Sequence, residues 1–231
     1  MDLSIIIPVY NEIRTIHQLL ERVVVVPLDR EIIIVDDGSQ DGTVDYLKSP
    51  APVQLGISKI YFHKRNQGKG AAIRTGLPHA EGDYIVIQDG DLEYDPTDFV
   101  TMLALARQDH PVVYGSRNLK NNENSYLSFY LGGLLVTYVT NLLFSSKITD
   151  EPTCYKMFRR DLIQSLELNC NGFEFCPEVT AKVLHRGIKI IECPINYYPR
   201  KIAEGKKTSW KDGVMAIYTL LKYRLKPVGR L

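Results

Sequence analysis

Asp89, Asp91 and Glu93 place three carboxylates within five positions, directly after the apolar run Ile85, Val86 and Ile87. Oxygen ligands grouped this way suit Mg²⁺ or Mn²⁺, which take one or two carboxylates together with phosphate oxygens of a substrate. The same residues also make an acidic turn before a helix, and Asp95-Pro96-Thr97 supplies a helix start. On the motif alone both readings stand. The β-branched run is the composition of a strand buried on both faces, so the acids sit at its carboxyl end. In an open α/β sheet, that edge is where ligands bind.

The rest of the chain supplies elements to position them. Strands are expected over residues 3–7, 32–35, 59–62, 84–88 and 112–114, alternating with helical stretches that open at residues 11–12, 41, 71 and 96. This alternation implies a mostly parallel central sheet with right-handed crossovers and flanking helices, an α/β fold. Each strand delivers polar residues to one rim: Tyr10 and Glu12, Asp36 and Asp37, Asp89 and Asp91, Ser116 and Arg117. Residues 49–52, with two prolines, read as a chain break. A helix over 125–145 then leads into a C-terminal α+β portion. It holds a strand at 155–158, helices near 160–167 and 176–186, strands at 189–193 and 195–198 around Pro194, and an amphipathic helix over 210–225. No repeat or flexible linker divides residues 1–231, so a single domain is expected.

A chain of 231 residues, 45% hydrophobic and 24% charged, is ordinary for a soluble globular protein and excludes disordered and fibrous classes. The net charge of +1 is uneven, because residues 200–231 hold nine Lys/Arg against two Asp/Glu. Such a tail suits a phosphate-bearing or membrane-surface partner, or is simply a solvated face. Cys154, Cys170, Cys176 and Cys193 form no C-x-x-C and no zinc spacing, which reads as reduced thiols in a cytosolic location. Asp2 and the short apolar run before Pro8 do not read as a signal peptide. Residues 124–146 carry no charge, and Leu127, Leu131, Leu134, Leu135, Tyr138 and Leu142 recur at helical spacing. Polar interruptions at Ser128, Thr137, Thr140 and Asn141 argue for one apolar stripe, packed on the core or lying at a membrane interface, over a spanning helix.

Several motifs fail. Gly68-Lys69 is followed by Gly70, not Ser or Thr, so no P-loop is present; Lys48 stands where a calcium loop starting at Asp37 needs Glu. No G-x-G-x-x-G follows the first strand. An acidic rim also disfavours nucleic acid.

Read together, Pro8-Val9-Tyr10-Asn11-Glu12, Val35-Asp36-Asp37-Gly38-Ser39, Asn66-Gln67-Gly68-Lys69-Gly70, Asp89-Gly90-Asp91 and Gly115-Ser116-Arg117 resemble the family 2 glycosyltransferases of the GT-A fold. Residues 150–156, 171–175 and 198–200 are similar to the branch of dolichol-phosphate mannose synthase and the bacterial polyprenyl-phosphate glycosyltransferases. The resemblance implies a nucleotide-sugar-binding half over 1–118 and an acceptor-binding half with interfacial helices over 119–231. It implies that Pro8, Tyr10, Glu12 and Asp37 line the nucleotide of a GDP- or UDP-sugar, with Lys69 also on the donor side. Asp89 and Asp91, with Glu93 as third ligand, would hold Mg²⁺ or Mn²⁺ on the donor diphosphate. Arg117 and Arg200, assisted by Lys206 and Lys207, would receive the phosphate of a polyprenyl lipid at the cytosolic face of a membrane. Relatives of the mannose synthase type carry a further arginine after the Gly-Ser-Arg motif, whereas none occurs here between Arg117 and Arg159.

The implied reaction displaces a nucleoside diphosphate from the anomeric carbon of a sugar, and a bound metal offsets the charge growing on the leaving group. A hydroxyl acceptor, on a saccharide or a protein, needs a base, for which Asp150 is the candidate. A lipid phosphate is already an oxyanion and needs cationic positioning instead. Two other classes remain open at this stage: a nucleotidyltransferase and a non-catalytic nucleotide-sugar binder.

Overall fold

Ile5, Ile6 and Ile7 give strand β1 (Leu3–Val9) the composition of a central parallel strand, and all seven of its residues are buried. The computed structural model describes residues 1–123, 126–200 and 209–225. After β1 come α1 (Ile16–Val24), β2 (Arg30–Asp36), α2 (Thr43–Lys48), α3 (Pro50–Gln54), β3 (Lys59–Phe62), α4 (Lys69–Gly76), β4 (Tyr84–Ile87), α5 (Asp98–Ala106) and β5 (Val112–Ser116). The second half contributes α6 (Leu127–Phe144), β6 (Lys156–Arg159), α7 (Arg160–Ser165), α8 (Phe175–His185), β7 (Ile191–Pro194) and α9 (Trp210–Leu225).

The seven strands form one sheet in the order β3-β2-β1-β4-β6-β5-β7. The expected parallel arrangement holds except at β6, which runs antiparallel to both β4 and β5. That reversal matters for the site. The start of β6 meets the carboxyl ends of its neighbours, so the loop from Asp150 to Tyr155 joins the same rim as Asp89 and Arg117.

One local expectation needs correction and two gain detail. The break at residues 49–52 is short: α2 ends at Lys48, extended Ser49 accepts from the Ala51 N–H, and Pro50 opens α3, where its missing N–H costs no helical bond. Residues 195–198 form no strand, only the isolated bridge Tyr94↔Tyr197, while β7 absorbs Pro194 as an edge strand. The apolar stripe of α6 does not face the core. Leu127, Leu131, Leu135, Tyr138 and Leu142 are exposed, and the buried face is Val136, Thr137 and Thr140. The threonines are accommodated because Thr137 and Thr140 hydroxyls donate back to the Gly133 and Val136 carbonyls.

Val136 packs with Ala181 of α8 and Ala216, Leu220 and Tyr223 of α9 in a small second cluster beside the main core. Trp210, Val214, Tyr218 and Leu221 are likewise exposed on α9, which packs against α6 through that cluster. The four cysteines are free, with Cys154 and Cys193 buried.

Candidate active site

The rim is built by loops that grip one another through side-chain acceptors. At the end of β2, Asp36 Oδ1 accepts from the N–H groups of Gly38 and Ser39, both at 3.0 Å, closing a turn in which Gly38 adopts φ +77°. Asp37 points the other way. Its carboxylate accepts from the backbone of Gln67 at 2.9 Å and Gly68 at 2.7 Å, and from His63 Nδ1 at 2.7 Å. Expected beside the nucleotide, Asp37 therefore shapes the glycine loop that leads into α4. Gly68 is required there, with φ +101° and the Asn171 carbonyl oxygen 2.4 Å from where a Cβ would stand.

The loop delivers Lys69, whose ammonium pairs with the Asp89 carboxylate, lies 3.6 Å from Cys154 Sγ and 5.8 Å from the Phe173 ring centre. Burial alone would lower the Lys69 pKa, but the charge on Asp89 outweighs it and holds the ammonium well above its usual range. Asp91 is pushed up to about 7, first by burial and then by the neighbouring Asp89 charge, with Arg200 pulling against them.

Arg200 occupies the centre of the acidic group. Its Nη2 donates to Asp91 Oδ2 at 2.7 Å, Nη1 lies 3.2 Å from Glu12 Oε2, and Nε is 3.6 Å from Glu93 Oε1. Glu93 accepts in addition from the Tyr197 hydroxyl and the Arg200 N–H, each at 2.9 Å. Expected with the nucleotide, Glu12 shares the Arg200 guanidinium with Asp91; expected at an acceptor phosphate, Arg200 lies among carboxylates. Pro8 and Tyr10 stand at the carboxyl end of β1 as expected, Pro8 buried and Tyr10 half-buried. Lys206 and Lys207 lie outside the described residues.

Whether these residues fit a divalent ion turns on the donor set. Asp89 and Asp91 are hard oxygen donors in a crowded negative field, which suits Mg²⁺ or Mn²⁺ completed by phosphate oxygens. Among the described residues no group of three His, Cys, Asp or Glu side chains is assembled to hold a metal. Glu93, expected as a third ligand, is turned toward the Tyr197 hydroxyl and the Arg200 N–H.

On the other side of the rim, Arg117 and Asp150 form a bidentate pair, Nε to Oδ2 at 2.8 Å and Nη2 to Oδ1 at 2.7 Å, and Oδ2 also accepts the Arg117 N–H. Burial would lower the Arg117 pKa, but Asp150 more than compensates. A carboxylate 2% exposed with both oxygens on a guanidinium is a poor general base, which counts against Asp150 in that role. Arg117 keeps three of its five N–H donors beyond this pair. The Asp150 loop is fixed from β7, where Glu192 accepts from the N–H groups of Thr149 and Asp150. It is fixed from α6 as well, by the Glu151 N–H to Thr137 Oγ1 and Asn141 Nδ2 to the Ile148 carbonyl.

Sequence reasoning missed the floor beneath the acids. Tyr94 packs against Tyr155 and, edge-on, against Tyr197, with centroids 4.6 and 5.3 Å away, and its hydroxyl oxygen accepts from the Cys154 N–H at 3.1 Å. Only the density of tyrosines around the motifs hinted at it.

The sequence pattern described as glycosyl transferase family 2 matches residues 4–166. The chain is similar to a dolichol-phosphate mannosyltransferase of Pyrococcus furiosus, 28% identical over 96% of this chain and 64% of that protein. It is equally similar, at 28%, to a dodecaprenyl-phosphate galacturonate synthase of Rhizobium johnstonii, covering 98% of this chain and 69% of that one. An undecaprenyl-phosphate 4-deoxy-4-formamido-L-arabinose transferase of Proteus mirabilis is also 28% identical, over 88% of this chain and 62% of its own length. The chain thus spans under two thirds of the mannosyltransferase and of the arabinose transferase. Among solved structures, glucosyl-3-phosphoglycerate synthase of Mycobacterium tuberculosis with Mn²⁺, UDP and product superposes with a TM-score of 0.71 at 18% identity, over 96% of this chain and 79% of that one. The likeness carries the fold, which is of the GT-A type.

Proposed function

Because the chain belongs to glycosyl transferase family 2, we propose that it moves a sugar from a GDP- or UDP-sugar to a polyprenyl phosphate at the cytosolic face of a membrane, with inversion and with Mg²⁺ or Mn²⁺. In this reading residues 1–118 bind the donor and residues 119–231 receive the acceptor. Asp89 and Asp91 would hold the ion, which supplies Lewis-acid relief of charge on the departing diphosphate. Lys69, half-buried and cationic beside Asp89, is placed to bind diphosphate oxygens as well. Asp150 orients Arg117, whose remaining N–H groups present a fork to the acceptor phosphate. No proton has to be removed from such an acceptor.

One observation carries the choice of acceptor. The Asp150 loop that grips Arg117 is hydrogen-bonded to α6, which exposes Leu127, Leu131, Leu135, Tyr138 and Leu142 and packs beside α9. A phosphate-binding arginine and a lipid-compatible surface are thereby parts of one rigid assembly. The similarity to three polyprenyl- or dolichol-phosphate transferases supports the same choice. Incubating a panel of nucleotide sugars with polyprenyl phosphate and Mn²⁺ should yield lipid-linked sugar. Transfer to saccharide hydroxyls with none to the lipid would replace this reading.

A further inference from the structure

We propose that Arg200 is the resident counter-cation of the acidic centre, and that a divalent ion takes Asp91 by displacing it. The inference rests on the reading of Asp89 and Asp91 as the metal-holding pair. It accounts for the place of the Arg200 side chain, which lies among Asp91, Glu12 and Glu93.

The geometry favours exchange over a permanent ion pair. Arg200 Nη2 lies 2.7 Å from Asp91 Oδ2, one of the oxygens a metal would use, and a divalent ion bound there would stand in direct repulsion with the guanidinium. The guanidinium is shared among three carboxylates, those of Asp91, Glu12 and Glu93, and Asp91 is the one it holds at the shortest distance. The fork is also imperfectly seated: among the described residues Arg200 Nε is buried without a hydrogen-bond partner, and Nη1 reaches the Glu12 oxygens only at 3.2 and 3.4 Å. Lys69 differs. It begins α4, and its ammonium is held between Asp89, Cys154 and Phe173, so it stays while Arg200 leaves.

Arg200 is hung from the acidic loop by backbone bonds that do not involve its guanidinium, Tyr198 N–H to the Glu93 carbonyl at 2.8 Å and the Arg200 N–H to Glu93 Oε1 at 2.9 Å. Release of the side chain therefore leaves its Cα in place, with an unpaired guanidinium at the rim. The freed fork is then available to an anionic acceptor, so loading of metal and donor precedes tight binding of the acceptor phosphate.

The test is a calorimetric Mn²⁺ titration of the protein without nucleotide, comparing wild type with Arg200→Gln and Arg200→Lys. The glutamine variant should bind Mn²⁺ on the order of tenfold more tightly, as expected when a competing charge-assisted partner is removed, and the lysine variant should fall between. Unchanged or weaker Mn²⁺ binding in a folded glutamine variant overturns the proposal, whereas a purely structural arginine would alter thermal stability without tightening the metal. Should the glutamine variant fail to fold, wild type still decides: Mn²⁺ should increase phenylglyoxal labelling of Arg200, read by peptide mass, and protection or no change overturns the exchange. Sugar transfer by wild type is scored separately. Its absence removes the proposed function, while transfer with a Mn²⁺ affinity indifferent to residue 200 removes only the exchange.

Discussion

At Asp91 burial and the Asp89 charge destabilise a carboxylate that Arg200 partly rescues, and the proposed function gives this group a metal to hold. Asp91→Ala should lower turnover by on the order of a thousandfold, measured as nucleoside diphosphate release, since transition-state charge loses its metal anchor. Near-normal rates would remove the metal from the mechanism. Asp150→Asn keeps the shape but leaves one carbonyl oxygen for the Arg117 fork. It should raise the acceptor KM about tenfold with the donor KM unchanged, whereas a base at Asp150 would show instead as a fall in kcat. The acids themselves were legible because their motif is local, five residues long and just after a buried strand. Their partners were not, because Arg200 meets Asp91 across 109 positions and Arg117 meets Asp150 across 33, and spacing carries no signal over such distances.

Among the elements, β6 shows most clearly what alternation alone conceals. Residues 3–116 follow the strand-helix pattern closely, so four strand ends and their polar residues were correctly sent to one rim. The direction of β6 depends on pairing with β4 and β5, which no period-2 pattern encodes. The α6 stripe was ambiguous for a related reason: periodicity identifies an apolar face without saying what covers it. Helix α9 is fastened to α8 and its approach loop through Glu178, which accepts from Tyr223 Oη at 2.6 Å, Lys182 Nζ at 2.8 Å and the N–H groups of Asn169 and Cys170. Burial would raise the Glu178 pKa, but these donors outweigh it and hold the group below its ordinary value of 4.5. A depressed carboxylate contributes stability above its unfolded pKa and loses it as pH falls through the folded value, so the effect belongs to the acid side below pH 4.5. Glu178→Gln should therefore cost about 2–3 kcal/mol at neutral pH and flatten the acid limb of thermal stability, checked by melting from pH 7 to pH 3.

For the molecule as a whole, a sheet edge that gathers charge stands beside two helices that expose Leu, Tyr and Trp, while basic residues concentrate after residue 200. The arrangement fits a protein lying on an anionic bilayer with Arg117 near the headgroup level. Vesicles containing anionic lipid should carry the protein down on sedimentation at low salt. The double substitution Leu131→Glu and Leu135→Glu, at positions 54% and 53% exposed, should weaken that binding at least about tenfold without lowering the melting temperature. Failure of wild type to bind such vesicles would count against the surface role. Most direct is the transfer reaction itself: purified protein, a nucleotide sugar, polyprenyl phosphate and Mn²⁺, with lipid-linked sugar quantified before and after EDTA. Product that forms, disappears with EDTA and returns on adding Mn²⁺ is the expected result; no lipid-linked product from any GDP- or UDP-sugar, or product indifferent to EDTA, contradicts it.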